Sequence, residues 1–153
     1  MPDHYYTQTP TSAHKPGQVD FLWRGAKLVF ETDSGVFSRT EIDKGTEILL
    51  NALPEELTGS LLDMGCGYGV IGVTLGKRYP GLSVVMSDVN ERAVELSRRN
   101  AQRNGVPARV MQSDGYADVP FQRMDWIVQN PPIRAGKSVI YAMFAEGARR
   151  LEP

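Results

Sequence analysis

From Gly59 onward, short apolar strands alternate with amphipathic helices, and few folds accept that order. Residues 61–64 read as a strand. Residues 70–78 read as a helix with Ile71, Thr74, Leu75 and Arg78 along one side. Residues 82–87 (LSVVMS) are rich in β-branched side chains and form a buried strand ending at Asp88. Asn90 caps the next helix, which turns Ala93, Val94, Ser97 and Ala101 to the sheet and stops at Gly105. Residues 108–111 and 126–129 read as third and fourth strands. Val139, Ile140, Met143, Phe144, Gly147, Ala148 and Leu151 then recur at helical spacing. Strand and helix in alternation predict an α/β fold with a doubly wound, mostly parallel sheet.

The N-terminal third follows a different pattern. Residues 1–20 are rich in Pro, Thr, Ser and His and read as a flexible leader. Residues 25–37 alternate apolar and polar around Asp33-Ser34-Gly35, which predicts a β-hairpin. Residues 41–51 read as a helix with Ile42, Ile48 and Leu49 on its buried face and Pro54 closing it. The expected organisation is one domain over 21–153, with hairpin and helix at 21–58 and an α/β core at 59–153.

Composition limits the function classes. With 153 residues, 41% hydrophobic and 23% charged, the chain suits one globular domain, and no apolar run reaches the length of a membrane span. The N-terminus lacks the apolar segment of a secretory signal. Cys66 is the single cysteine, which excludes internal disulfides and a cysteine zinc site and fits a reducing cytoplasm. His4 and His14 stand in the leader away from any carboxylate cluster, so no metal is expected. The net charge of −1 is unevenly spread: residues 1–75 carry 5 basic and 10 acidic side chains, residues 76–153 carry 12 and 8. Arg98, Arg99 and Arg103 read as a solvated helix face. Arg134 and Lys137 have a different setting, just after a strand end, and are placed to hold a nucleic-acid phosphate.

Two motifs carry chemistry. Gly65, Gly67 and Gly69, in LLDMGCGYGVIG, let the backbone turn sharply and approach a ligand at the carboxyl edge of the first parallel strand. The stretch 67–72 also satisfies the dinucleotide pattern G-x-G-x-x-G, so the loop alone leaves the ligand open. Asp88 is spaced to accept from ribose hydroxyls in either case. Asp63 places a carboxylate inside an apolar strand, suited to a cationic amino-acid group, and Asp114 is suited to an adenine amine; a solvent-facing Asp63 and a turn-capping Asp114 are the structural alternatives. Together these acids favour an adenosine bearing an amino-acid tail. The second motif is Asn130-Pro131-Pro132, which fixes two φ angles and removes two N–H donors. It offers acceptors to an N–H2 group, or else is a proline-stiffened strand exit.

Asp63-Met64-Gly65-Cys66-Gly67-Tyr68-Gly69, Asp88, Ser113-Asp114 and the segment Asn130 to Lys137 together resemble the class I S-adenosylmethionine-dependent methyltransferases. More narrowly, the chain resembles the small-domain group that includes the 16S ribosomal RNA guanine N2-methyltransferases. Gly35-Val36-Phe37-Ser38 and Asp43 to Thr46 are also similar to that group. The resemblance implies S-adenosylmethionine as cofactor, with Gly65, Gly67 and Gly69 around its methionine part, Asp63 near the ammonium, Asp88 on the ribose and Asp114 on the adenine amine. Phe37, Ser38 and Thr46 would roof the pocket. Asn130 and the Pro131 carbonyl would grip the exocyclic amine of a base in RNA, with Pro132 completing the turn and Ile133, Arg134 and Lys137 meeting the substrate. No metal is implied, and Cys66 is expected to be only a small loop residue.

The sequence departs from that group in three ways, the first being that the duplicated, longer domain arrangement of some ribosomal relatives is not expected. Ile133 stands where many relatives carry an aromatic residue that stacks on the base. The chain also stops at Pro153, where the family fold continues into further strands, so a C-terminally truncated sheet is expected. A protein glutamine amide as methyl acceptor, or a cofactor-binding fragment without turnover, stand as the alternatives.

Overall fold

The computed structural model of the chain describes residues 16–33, 41–120, 122–129 and 145–152. An antiparallel hairpin comes first, in which β1 (Pro16–Trp23) and β2 (Ala26–Asp33) pair from Pro16 opposite Asp33 to Trp23 opposite Ala26. Its turn is Arg24-Gly25, with φ of 47° and 83°. Two left-handed residues in succession make a type I′ turn, whose twist matches that of the flanking strands. The Arg24 guanidinium braces that strained position by donating to the carbonyls of Leu53 and Pro54 and to the Tyr79 hydroxyl at 2.6–2.8 Å. Two expectations are corrected here. Residues 16–20 belong to β1 and not to a leader, and the turn of the described hairpin is Arg24-Gly25, upstream of the expected one. Residues 34–37, expected in the hairpin, lie outside the described residues, as do 1–15.

Helix α1 (Lys44–Asn51) begins at Asp43, whose side chain accepts from the Thr46 N–H. Leu50 is its buried residue, while Ile48 is 66% exposed and Leu49 is also exposed, so the predicted buried face was wrong for both. Ile42, just ahead of the helix, packs on the core as expected. The helix is too short for its periodicity to fix a face, and contact with α2 (Val70–Arg78) selects Leu50 instead.

The remaining strands, β3 (Ser60–Met64), β4 (Ser83–Asp88), β5 (Ala108–Gln112) and β6 (Trp126–Gln129), form one parallel sheet in the order β5-β4-β3-β6. The chain moves outward from β3 through β4 to β5, then returns to the other side of β3. That reversal makes the carboxyl ends of β3 and β6 the switch point where ligands bind in open α/β sheets. Met64 and Gln129 are register partners, so both strands stop at the same level.

Helices α2 and α3 (Glu91–Arg103) lie against the sheet and carry the hairpin, in a core that includes Phe30, Val73, Leu75 and Val94. Leu62, Met64, Tyr116, Val119 and Met124 form a second cluster. The hairpin lies on α2 as well as α3, so α2 is buried on more sides than predicted: Val70, Gly72, Val73 and Gly76 join Thr74 and Leu75, while Ile71 is half-buried and Arg78 is exposed. On α3 the expected Ala93, Val94, Ser97 and Ala101 are all buried. Arg98, Arg99 and Arg103 are exposed but engaged, with Val110, Glu31 and Gln18 respectively. The last described segment is helical at 145–149, with Gly147 buried and Ala148 and Leu151 exposed, against their predicted common face. Leu151 instead bridges to Met124.

Gly76 allows α2 to approach the sheet, because an added Cβ would overlap Val106 Cγ1 and lie 3.3 Å from Val84 Cγ2. Alanine favours a helix over glycine by about 1 kcal/mol, whereas overpacking a core costs about 1–3 kcal/mol. The overlap is with branched side chains that are themselves buried in the core, so it should dominate. Gly76→Ala is therefore expected to lower the urea unfolding midpoint; an unchanged or higher midpoint would refute this packing argument.

Candidate active site

The glycine loop leaves β3 at the switch point, and its conformation follows from three glycines at alternate positions. Gly65, Gly67 and Gly69 have φ of 80°, 59° and 98°, all left-handed and costly for residues with a Cβ. At Gly69 a Cβ would also crowd Ser97 at 3.2–3.3 Å. The loop's N–H groups point back into the protein. Gly65 and Cys66 donate to the Ser87 carbonyl, Gly67 to Asp88 Oδ2 at 2.9 Å, and Gly69 to the Cys66 carbonyl. A loop that cradles a pyrophosphate needs such donors turned outward. This one has used four of them internally.

Two buried carboxylates lie beneath the loop. Asp63, 1% exposed, accepts from the Gly72 N–H at 2.9 Å. Gly69 has no side chain with which to cap α2, and Asp63 supplies a cap from the neighbouring strand. Gly72 permits this closeness, since a Cβ there would lie 2.5 Å from Met86 Sδ and 3.2 Å from Asp63 Oδ2. Burial pushes the Asp63 carboxyl up to about 7; the Gly72 N–H opposes the shift and the Asp88 charge adds to it. Asp88, 3% exposed, accepts from Gly67 N through one oxygen and from Asn90 N through the other, each at 2.9 Å. Asn90 then caps α3 by accepting from Ala93 N at 3.1 Å, as its sequence position predicts.

The predicted residues Asp63, Gly65, Gly67, Gly69 and Asp88 are thus brought together. Asp63 is not solvent-facing. Asp114 lies next to this group at the exit of β5, where the Ser113 N–H donates to the Asp88 carbonyl at 2.9 Å. Its side chain is exposed, and its carbonyl accepts from Ala117 N in a turn. Thr46 stands in the first turn of α1. Cys66 is buried 3.3 Å from the Ser97 hydroxyl, and burial, reinforced by Asp63 and Asp88, pushes its thiol well above the usual range. A thiol held neutral is a poor nucleophile, in keeping with a loop-filling role. Phe37, Ser38, Asn130, Pro131, Pro132, Ile133, Arg134 and Lys137 lie outside the described residues. Among the described residues, no group of three or more His, Cys, Asp or Glu is placed to hold a metal, and no helix is long and apolar enough to cross a membrane.

Sequence reasoning missed two contributors to this site. Ser97 was read only as facing the sheet, and Asn100 was not singled out; each donates to a carbonyl of the glycine loop. The available signal was a pair of asparagines, at 100 and 104, four apart beside the apolar stripe of α3.

Parallel strand order, switch-point loop and strand-end acids define a Rossmann-like domain of the methyltransferase type. The chain belongs to the Methyltransferase small domain family, whose model matches residues 27–153. The Bacillus subtilis protein YbxB is 42% identical over 155 residues, covering 99% of this chain and 77% of that protein. The ribosomal RNA small subunit methyltransferase C of Hahella chejuensis is 45% identical over 86% of this chain but only 40% of its own length. Among solved structures, the T. thermophilus 16S rRNA N2 methyltransferase RsmC, in complex with AdoMet and guanosine, superposes with a TM-score of 0.79 at 28% identity. That match covers 94% of this chain and 40% of the other, so the chain spans under half the length of these named methyltransferases.

The Asp63 carboxyl makes a pH prediction. Its folded pKa, about 7, lies above the unfolded value of 3.8, so the native state holds the proton more tightly. The associated stability is fully present below pH 3.8 and is lost as pH rises to about 7. The shift corresponds to a few kcal/mol. Asp63→Asn retains an acceptor for Gly72 N without the charge. Its melting temperature should exceed that of the wild type at pH 8, with the difference narrowing toward pH 4.5; a pH-independent difference would contradict the assignment.

Proposed function

We propose that this chain binds S-adenosylmethionine and transfers its methyl group to an exocyclic amino nitrogen of a nucleobase, guanine in ribosomal RNA. The observation that carries the cofactor reading is the glycine loop with its donors turned inward over Asp63 and Asp88. A site with two buried carboxylates and four internally used N–H groups favours a cationic ligand over a pyrophosphate. S-adenosylmethionine is cationic at both its sulfonium and its ammonium. The family, and a structural relative described as bound to AdoMet and guanosine, support the same reading.

The cofactor, when bound, supplies an electrophilic methyl carbon on a sulfonium. The chain's own residues do the positioning. Gly65, Gly67 and Gly69 leave room for the methionine part, Asp63 faces the ammonium, Asp88 takes the ribose hydroxyls, and Asp114 takes the adenine amine. Phe37 and Thr46 close the pocket. With the cofactor bound, its methyl group would pass to the nitrogen lone pair of the target amine, the sulfonium would leave as a neutral thioether, and the nitrogen would release a proton to solvent. An aryl amine resists this because its lone pair is delocalised into the ring. The Asn130 side-chain oxygen and the Pro131 carbonyl, held by the rigid Pro131-Pro132 turn, accept from the two N–H groups and favour the tetrahedral geometry that localises the pair. Ile133 contacts the base, while Arg134 and Lys137 hold adjacent phosphates.

Transfer of a labelled methyl group to ribosomal RNA lacking the modification tests this reading. Asn130→Ala should reduce transfer at least ~100-fold while S-adenosylhomocysteine still binds. Undiminished transfer by that variant would sink the catalytic assignment, and label appearing in protein instead of RNA would move the substrate to a glutamine amide.

A further inference from the structure

One buried face of α3 holds both the glycine loop and the hairpin. Ser97, Asn100 and Asn104 are three and four residues apart and so share a face. The Ser97 hydroxyl donates to the Gly67 carbonyl at 2.8 Å. Asn100 Oδ1 accepts from Glu31 N at 2.7 Å, and its Nδ2 donates to the Glu31 carbonyl at 3.0 Å and to the Tyr68 carbonyl at 2.7 Å. Asn104 treats β2 in the same way two residues along, accepting from Val29 N and donating to the Val29 carbonyl, each at 3.0 Å. The two amides therefore imitate a strand and pair the outer edge of β2.

The difference between these asparagines is informative. A primary amide has two donors, and pairing with β2 uses one. Asn104 directs its second to the Asn100 carbonyl within its own helix, at 2.8 Å. Asn100 directs its second to Tyr68, in the glycine loop. Edge capping alone explains Asn104 but not that contact. The rings of Phe30 on β2 and Tyr68 on the loop also meet edge to face, with centroids 5.9 Å apart. Two observations thus connect hairpin and loop.

We propose that Ser97 and Asn100 are positioning residues for the cofactor. They keep the Gly67 and Tyr68 carbonyls turned back toward α3, and Asn100 makes the conformation of the loop depend on the seating of the hairpin. The proposal rests on the reading that this loop holds S-adenosylmethionine. A glycine-rich loop released from α3 has many conformations to lose on binding, so removing either bond weakens affinity by loss of pre-organisation.

The test is calorimetric titration of S-adenosylhomocysteine into the full chain and its variants, with melting temperatures measured in parallel. Ser97→Ala and Asn100→Ala should each raise Kd by about five- to tenfold. Asn104→Ala removes comparable hairpin bonds without touching the loop, so it should lower the melting temperature while leaving Kd within about twofold. Equal weakening by Asn100→Ala and Asn104→Ala would overturn the proposal, since α3 would then merely carry the hairpin. An unchanged Kd in Ser97→Ala would overturn it as well, and that variant decides the matter should Asn100→Ala fail to fold. Asp88→Ala distinguishes the underlying reading: tight binding that survives this substitution would remove the cofactor from the loop altogether, and the proposal with it.

Discussion

The hydrogen bond from the Gly67 amide to the Asp88 carboxylate joins three parts of the chain that the rest of the site requires in register. Asp88 is the last residue of β4, Gly67 is the middle of the loop after β3, and the second Asp88 oxygen accepts from Asn90 N at the start of α3. A carboxylate is acceptor-only and presents two oxygens in a fixed plane, so it sets the loop and the helix origin relative to each other. The rotation of α3 about its axis follows from where it begins. That rotation brings Ser97 and Asn100 beneath the loop two and three turns later, and Asn104 against β2. Loop, helix and hairpin behave as one hydrogen-bonded unit anchored at a strand end.

This unit is electrostatically uncomfortable in a way that suits binding. Two carboxylates, Asp63 and Asp88, are almost fully buried, and burial first, then the Asp88 charge, raises the cost of ionising Asp63. Backbone N–H groups compensate in part, through Gly72 for Asp63 and through Gly67 and Asn90 for Asp88. No such arrangement is needed to hold a strand against a helix, for which a short apolar or amide side chain suffices. Residual negative potential under a glycine loop is a stability cost concentrated at one place, and a cationic ligand relieves it.

Legibility in the sequence varied with the kind of signal. The alternation from β3 to β6 was read correctly, with α2 and β6 at their observed limits, because buried parallel strands and their helices are encoded by side-chain hydrophobicity. Asn90 was legible as a cap and Asp63 as an anomaly, a carboxylate inside an apolar run. The turn of the β1–β2 hairpin was missed because it uses Arg24 in a left-handed conformation, braced by the carbonyls of Leu53 and Pro54 and the Tyr79 hydroxyl; those partners are 29 to 55 residues away. Ile48 and Leu49 misled because α1 is two turns long and touches the core through one residue. Asn100 was invisible for a related reason: its partners are main-chain atoms 32 and 69 residues distant, and main-chain partners leave no trace in a pattern of side chains.

The hairpin is therefore better understood as part of the α/β core than as an attachment to it. A two-stranded ribbon is marginal alone and exposes an edge of unpaired backbone groups. Here Val19 and Trp23 of β1 and Leu28 and Phe30 of β2 share one apolar cluster with Val73 and Leu75 of α2. The outer edge of β2 is closed by asparagine amides instead of a third strand, and the choice has a mechanical consequence. Another strand would have isolated β2 from the parallel sheet behind a layer of backbone. A helix face does the same pairing while leaving one amide proton for the loop at the switch point, so the interaction that protects the edge also reaches the ligand side of the molecule.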